Sequence, residues 1–338
     1  MMIQIDYRLG GCPKYVFTDD LFPFMLIPDE IRQCVAFLGV NTPTGPRLCG
    51  TAFFVGVPSE AAPGASYGYV VTAKHILDKI REIYGNDAMT FIRVNVRGQD
   101  AVRAEIALQH WRYHPTDSTV DVAVIEDASG DSRFETKRIP LEMAATAEAI
   151  TKHKIGVGDE VFMTGLFSHH HGRTRNLPIV RIGNIALMPD EPIRAGEWGE
   201  IQAYLIEARS IGGLSGSPVF VHLGGIRLGQ ISGGGFRWLG LIHGHWDLPI
   251  SELDAVTSDA LRMENVNMGI AIVVPVDKII EVLNQEALMT RRKKADEEHR
   301  KKTAPTLDST SIPLTKDEFK DTLKKVSQKL PQSDQGKP

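Results

Sequence analysis

Between about residue 45 and residue 275 the chain is a succession of short β-rich runs broken by turn residues. Cys49-Gly-Thr-Ala-Phe-Phe-Val-Gly56, Phe91-Ile-Arg-Val-Asn-Val96, Ala101-Val-Arg-Ala-Glu-Ile-Ala-Leu108 and Pro178-Ile-Val-Arg-Ile-Gly-Asn-Ile-Ala-Leu187 are examples, and several alternate polar with apolar residues. A period of two places one face of a strand in a core and the other in solvent. The chain has 31 Gly and 19 Pro to supply turns. The pattern therefore predicts an all-β protein, a sandwich or a pair of barrels. With 338 residues, 42% of them hydrophobic, it can fill one large or two small cores.

Gly212-Gly-Leu-Ser-Gly-Ser-Pro-Val-Phe220 is a glycine-rich turn that presents Ser215 and runs into a β-rich segment. A serine hydroxyl is a poor nucleophile unless a base takes its proton and N–H groups hold the developing oxyanion. Glycines on both sides let the backbone approach a substrate carbonyl, and the N–H groups of Gly213 and Ser215 are the natural oxyanion donors. The helix-following elbow of α/β-hydrolases does not fit, because Ser217 stands where a glycine is needed and Pro218-Val-Phe-Val221 reads as strand. A base and an orienting acid must come from elsewhere in the chain. The strongest candidates are His75, at the end of the apolar run Tyr69-Val-Val-Thr-Ala-Lys-His75, and Asp121, at the start of Asp121-Val-Ala-Val-Ile125.

These three contexts, in the order His, Asp, Ser, resemble the chymotrypsin-like serine proteases. The similarity is greatest to bacterial glutamyl endopeptidases and high-temperature-requirement proteases. Thr72-Ala-Lys-His75 resembles the Thr-x-Lys-His motif of that family. Asp121-Val-Ala-Val resembles Asp-Leu-Ala-Val/Ile, and Gly213-Leu-Ser-Gly-Ser-Pro-Val-Phe220 resembles Gly-Asn-Ser-Gly-Ser-Pro-Val-Phe. Gly158–Gly165 and Met268–Asp277 resemble the strand that opens the second barrel and the strand that closes it before the final helix. The resemblance spans roughly residues 45 to 285. It implies two six-stranded antiparallel barrels with the site at their junction. It also implies a serine endopeptidase in which Ser215 attacks, His75 moves the proton and Asp121 fixes the imidazole. One departure stands out. Leu214 occupies the place of an Asp or Asn, so an ion pair with a newly cut N-terminus cannot switch this site on.

The same resemblance bears on specificity. His243, in Trp238-Leu-Gly-Leu-Ile-His243-Gly-His-Trp246, matches a histidine that contacts the substrate carboxylate in glutamyl endopeptidases, and Arg209 falls where the pocket floor is placed. A cation and a histidine together would suit Glu at the cleavage position, since a desolvated carboxylate needs a charge-assisted partner. The plainer readings are a pair between Arg209 and Glu207 and a strand histidine bonded to backbone.

The remaining features bound the setting. Cys12, Cys34 and Cys49 form no Cys-x-x-Cys pair, which argues against a disulfide framework or a structural zinc. Ser168-His-His-His-Gly172 reads as a solvent loop, because adjacent residues do not converge on one ion. No metal and no cofactor is expected. The N-terminus lacks the pattern of a signal peptide and no run reaches the roughly 20 apolar residues of a membrane span, so a cytoplasmic location and no membrane partner are expected. Residues 1–35 read as an extension, 36–285 as the peptidase domain with a split near 145–155, and 286–338 as a charged tail. The tail carries Arg291-Arg-Lys-Lys294 and Arg300-Lys-Lys302, a Pro/Ser/Thr-rich linker, and an amphipathic helix opened by the capping box Thr315-Lys-Asp-Glu318. Its stripe of Phe319, Leu323, Val326 and Leu330 should dock on the body, a second copy or a protein partner. The basic runs lack interleaved aromatics, which argues against nucleic acid. The expected partner is a protein or peptide substrate. The alternative to an enzyme is a catalytically silent peptide-binding module or a scaffold activated by a partner.

Overall fold

The structure is a computed structural model in which residues 27–127, 133–195, 199–208, 212–224, 234–249 and 265–303 are described. Most of the N-terminal extension, Arg209, and the linker and amphipathic helix of the tail lie outside these residues. The chain divides into two compact units, Met1–Asp296 and Glu297–Pro338.

The first half of the larger unit runs α1 (Asp29–Arg32), β1 (Val35–Thr42), β2 (Gly45–Pro58), β3 (Ser66–Thr72), α2 (Lys74–Tyr84), β4 (Met89–Val96), β5 (Gln99–Ala107), β6 (Arg112–Tyr113), β7 (Ala123–Glu126) and β8 (Ile139–Pro140). Its strands pair in the order β5-β4-β1-β2-β3-β7-β6, with β8 added parallel to β2. The second half holds α3 (Ala147–His153), β9 (Glu160–Gly165), β10 (Ile179–Leu187), β11 (Ile193–Arg194), β12 (Glu200–Ile201), β13 (Tyr204–Glu207), β14 (Pro218–Gly224), β15 (Gly234–Pro249), β16 (Asn265–Pro275) and α4 (Val276–Leu283). Six of its strands close into a barrel, β10-β13-β16-β15-β14-β9.

The expectation of an all-β body is met in a modified form. One six-stranded barrel is closed, and the first half is an open sheet among the described residues. The reason lies at the two ends of that sheet. β6 has two residues, both spent on β7, and so presents no ladder to β5. β5 itself is mostly exposed, so little apolar surface drives its free edge across the gap.

Period-two patterning places the halves against each other. In β14, Val219, Val221 and Leu223 fill the barrel interior, while Phe220 joins the core of the first half. In β9, Val161 and Met163 point inward and Phe162 outward in the same way. Phe162 and Phe220 stack with ring centroids 5.2 Å apart. Trp238, fully buried, meets Phe53 of β2 edge to face at 5.5 Å. Strands apolar on both faces are what a layer between two cores requires. This packing carries the loops of the barrel to the strand ends of the open sheet.

A last helix, α5 (Glu286–Thr303), begins on the larger unit. Its register is set by polar contacts. Asp296 accepts from Ser59 Oγ at 2.5 Å, from Tyr67 OH at 2.7 Å, and from the N–H groups of Glu60 and Ala61 at 3.3 Å. Arg292 donates to Tyr69 OH, to the Leu283 carbonyl and to Asn284 Oδ1. Arg291 pairs with Glu126. In the smaller unit the described residues 297–303 are helical and exposed. No helix among the described residues is long and apolar enough to cross a membrane.

The hydroxyls of Ser59 and Tyr67, against a smaller opposing effect of burial, hold the Asp296 carboxyl down at about 2. A carboxylate depressed on folding contributes stability above its unfolded value, about 3.9, and loses it as pH falls through the folded value. Asp296→Asn should therefore lower the melting temperature at pH 7, and its gap from wild type should close as the pH is taken from about 4 toward 2. Melting curves of both proteins across that window check this. A gap independent of pH would separate the clamp from the charge.

Candidate active site

β3 ends at Thr72, and Ala73 turns the chain directly into α2, so His75 sits in the first turn of that helix. First-turn N–H groups have no partner inside a helix. The His75 N–H finds one across the fold, donating to Asp121 Oδ1 at 2.7 Å. Asp121 stands just before β7, whose residues Ala123 to Glu126 pair with β3 from Thr72 back to Tyr69. That pairing brings the start of β7 beside the end of β3, and with it the carboxylate beside the histidine.

The second oxygen of Asp121 takes two imidazoles. His75 Nδ1 lies 2.7 Å from Oδ2 and His243 Nδ1 lies 2.5 Å from the same atom. Asp121 and His243 are buried, whereas the His75 side chain keeps 18% of its exposure. Burial pushes the Asp121 carboxyl up, but the charge of His75 and the hydrogen bonds from His243 and His75 outweigh it and hold the group well below the usual carboxylate range. An ionised carboxylate only accepts hydrogen bonds. Each imidazole must then present a proton on Nδ1, so in the neutral ring of His75 the acceptor is Nε2.

The structure places the His243 ring in the interior, against Asp121. Its ring is buried and its Nδ1 is taken by Asp121, so that nitrogen is not available to read a substrate carboxylate. The cause is a β-bulge. The pairing of β15 with β16 slips between Ile242 and Gly244, and His243 is the residue at the slip. A bulge re-aims a side chain without altering the local composition. The motif supplied the histidine but not its direction. The companion residue, Arg209, lies outside the described residues.

Ser215 is half-buried, on a turn pressed against the strand ends of the first half. Gly213 and Gly216 take φ of +102° and +80°, conformations that side chains disfavour. A Cβ on Gly216 would also come within 2.2 Å of the Thr51 carbonyl and 3.1 Å of the Ala73 nitrogen. The turn therefore lies against the residue two before His75. Leu214, between the two oxyanion candidates, is wholly buried in the barrel core.

His75, Asp121 and His243 bring three potential metal-ligating atoms within 4.8 Å of one another. Ligand atoms around a tetrahedral ion with bonds of about 2.0 Å sit roughly 3.3 Å apart. The 2.5 and 2.7 Å contacts are hydrogen-bond lengths, so the cluster fits protons between its members. The three residues His169, His170 and His171 are exposed on their loop. Burial raises the thiols of Cys34, to about 12, and of Cys49, which makes both poor nucleophiles. A cleft of about 300 Å³ touches Asp121 along with Asp117, Gln202 and Lys278, but its lining includes neither His75 nor Ser215.

No protein-family description matches the chain, and no curated protein matches it. Among solved structures it is similar to Deg5, at 14% identity over 75% of this chain and 88% of that one, with a TM-score of 0.41. It is also similar to the thermostable serine protease AL20 from an extremophilic microorganism, at 15% identity over 77% and 98%, TM-score 0.40. A third is the tobacco vein mottling virus protease, at 15% identity over 76% and 83%, TM-score 0.39. Likenesses this distant assign no activity to this chain.

The two hydrogen bonds accepted by Asp121 Oδ2 have a measurable consequence. His243→Ala leaves a buried carboxylate with one fewer donor and should cost about 1–3 kcal/mol. Urea unfolding at pH 7 measures it. Because the carboxyl is depressed in the folded protein, this contribution should be present at pH 7 and fall away as pH drops below the ordinary carboxylate range.

Proposed function

We propose that the chain is a serine endopeptidase, with His75, Asp121 and Ser215 as its catalytic triad and a protein or peptide as its substrate. The observation that carries this reading is the pairing of Asp121 with both the ring and the backbone N–H of His75, beside a glycine turn that presents a serine.

The chemistry follows from the tautomer. Ser215 Oγ attacks the scissile carbonyl while His75 Nε2 takes its proton. The N–H groups of Gly213 and Ser215 hold the oxyanion. The imidazolium gives its proton to the leaving amine, an acyl-enzyme forms on Ser215, and water releases the acid by the same steps in reverse order of roles. Asp121 stays ionised throughout, fixing the ring and stabilising its positive form. His243, on the far side of Oδ2, shares that carboxylate.

A fluorophosphonate probe tests the reading. Wild type should be labelled and Ser215→Ala should not. Asp121→Asn, which forces the wrong tautomer, should lower kcat by about 10⁴. Peptide binding without labelling, with or without added partners, would instead favour the silent binding module. Preference for Glu at the cleavage position is the finer part of the proposal, and it rests on Arg209 and on His243, whose Nδ1 is bonded to Asp121. Cleavage after Glu that weakens in Arg209→Ala supports it, and equal cleavage after Leu or Lys in a profiling digest rejects it.

A further inference from the structure

We propose that Thr51 is the positioning residue that presets the oxyanion turn, in place of any ion pair made by cleavage at the N-terminus. The inference rests on the serine-peptidase reading of that same turn. Three successive carbonyls of the turn are fixed. Gly213 O accepts from Thr51 Oγ1 at 2.8 Å, Leu214 O from the Ser217 N–H at 2.9 Å, and Ser215 O from the Thr51 N–H at 3.0 Å. Two of the three donors belong to one residue, and the Thr51 hydroxyl is the sole side-chain donor of the set.

The proton on that hydroxyl is unambiguous. Leu166 N–H donates to Thr51 Oγ1 at 2.8 Å, so the oxygen's own proton goes to Gly213 O. Thr51 is in turn fixed by Thr72 Oγ1, which donates to its carbonyl at 2.8 Å, and it is fully buried. A Cβ on Gly165 would come within 2.6 Å of Thr51 Oγ1, so glycine at that position leaves the space the hydroxyl occupies.

A trans peptide directs its N–H away from its carbonyl. Fixing Leu214 O on Ser217 therefore aims the Ser215 N–H to the other side, and the peptides on either side of that one, Gly213–Leu214 and Ser215–Gly216, are both held by Thr51. Among the described residues no carbonyl accepts from either N–H. Gly213 would otherwise turn about its C-terminal side at little cost, since glycine tolerates both signs of φ. Leu214 adds packing in the barrel core where a carboxylate would have needed a partner. Three carbonyls of the turn are thus held by Thr51 and Ser217, and its centre is anchored by the buried Leu214.

The test compares Thr51→Val, which keeps the shape and removes the donor, with Thr51→Ser, which restores it. With a peptide substrate, T51V should lower kcat about 10- to 100-fold, less than the roughly 10²- to 10³-fold cost of removing an oxyanion donor outright, and leave KM within threefold. T51S should stay within threefold of wild type on both. Affinity for a peptide boronate, which mimics the tetrahedral state, should fall in T51V in step with kcat, while affinity for the product peptide should not. Thr51→Cys keeps the volume with a weaker donor and serves if T51V does not fold; it should lie between Val and Ser. Wild-type kcat in T51V or in T51C, or equal losses in T51V and T51S, overturns the proposal. Wild type that fails to label with the fluorophosphonate overturns the parent reading first, and that result is visible before any Thr51 variant is made.

Discussion

A carboxylate buried at the meeting of three elements is the constraint around which this structure is arranged. Asp121 is taken out of water, a step that costs several kcal/mol unless the charge is fully bonded. The chain meets that need with a helix N-terminus and two imidazoles, drawn from α2 and from β15. Two of these donors come from the open sheet half and one from the barrel half. The charge therefore ties the halves together, and the halves must dock correctly for the charge to be satisfied. Packing of Trp238 on Phe53 and of Phe220 and Phe162 into the first core supplies the apolar part of the same junction.

That arrangement explains which parts of the molecule the sequence discloses. His75 and Asp121 sit at strand ends with recognisable local contexts, and the pairing of β3 with β7 brings them together. The glycine turn at Ser215 is legible for a similar reason, because its positive φ angles demand glycine. His243 could be seen as a residue but not as a neighbour of Asp121. Its orientation comes from a register slip between β15 and β16, which is a property of a pair of strands and not of either one. Barrel closure is likewise non-local. β5 reads as a good alternating strand, but whether it finds a partner across the sheet depends on β6, which turns out to be two residues long. The register of α5 escaped notice because it rests on Asp296, one carboxylate in a helix whose charges face all round.

The second imidazole on Asp121 changes the electrostatics of the pair. In a simple triad the carboxylate has one ring to stabilise when that ring becomes cationic. Here the same oxygen already accepts from His243, so part of its charge is engaged before any proton moves. The return is a carboxylate that stays ionised in a site where burial alone would favour protonation.

Thr51 belongs to the same logic on the other side of the junction. It lies in β2, a strand whose other contacts are structural, and nothing in Cys49–Gly56 distinguishes it from a buried threonine of the sheet. Its significance comes from what the barrel half presents to it, the Gly213 and Ser215 carbonyls and the Leu166 N–H. Most buried hydroxyls in a core are hydrogen-bonded. Thr51 Oγ1 makes those bonds with groups from the barrel half, so correct docking of the halves and correct shaping of the turn become one event. A peptidase built this way would have its oxyanion donors aimed as soon as it folds.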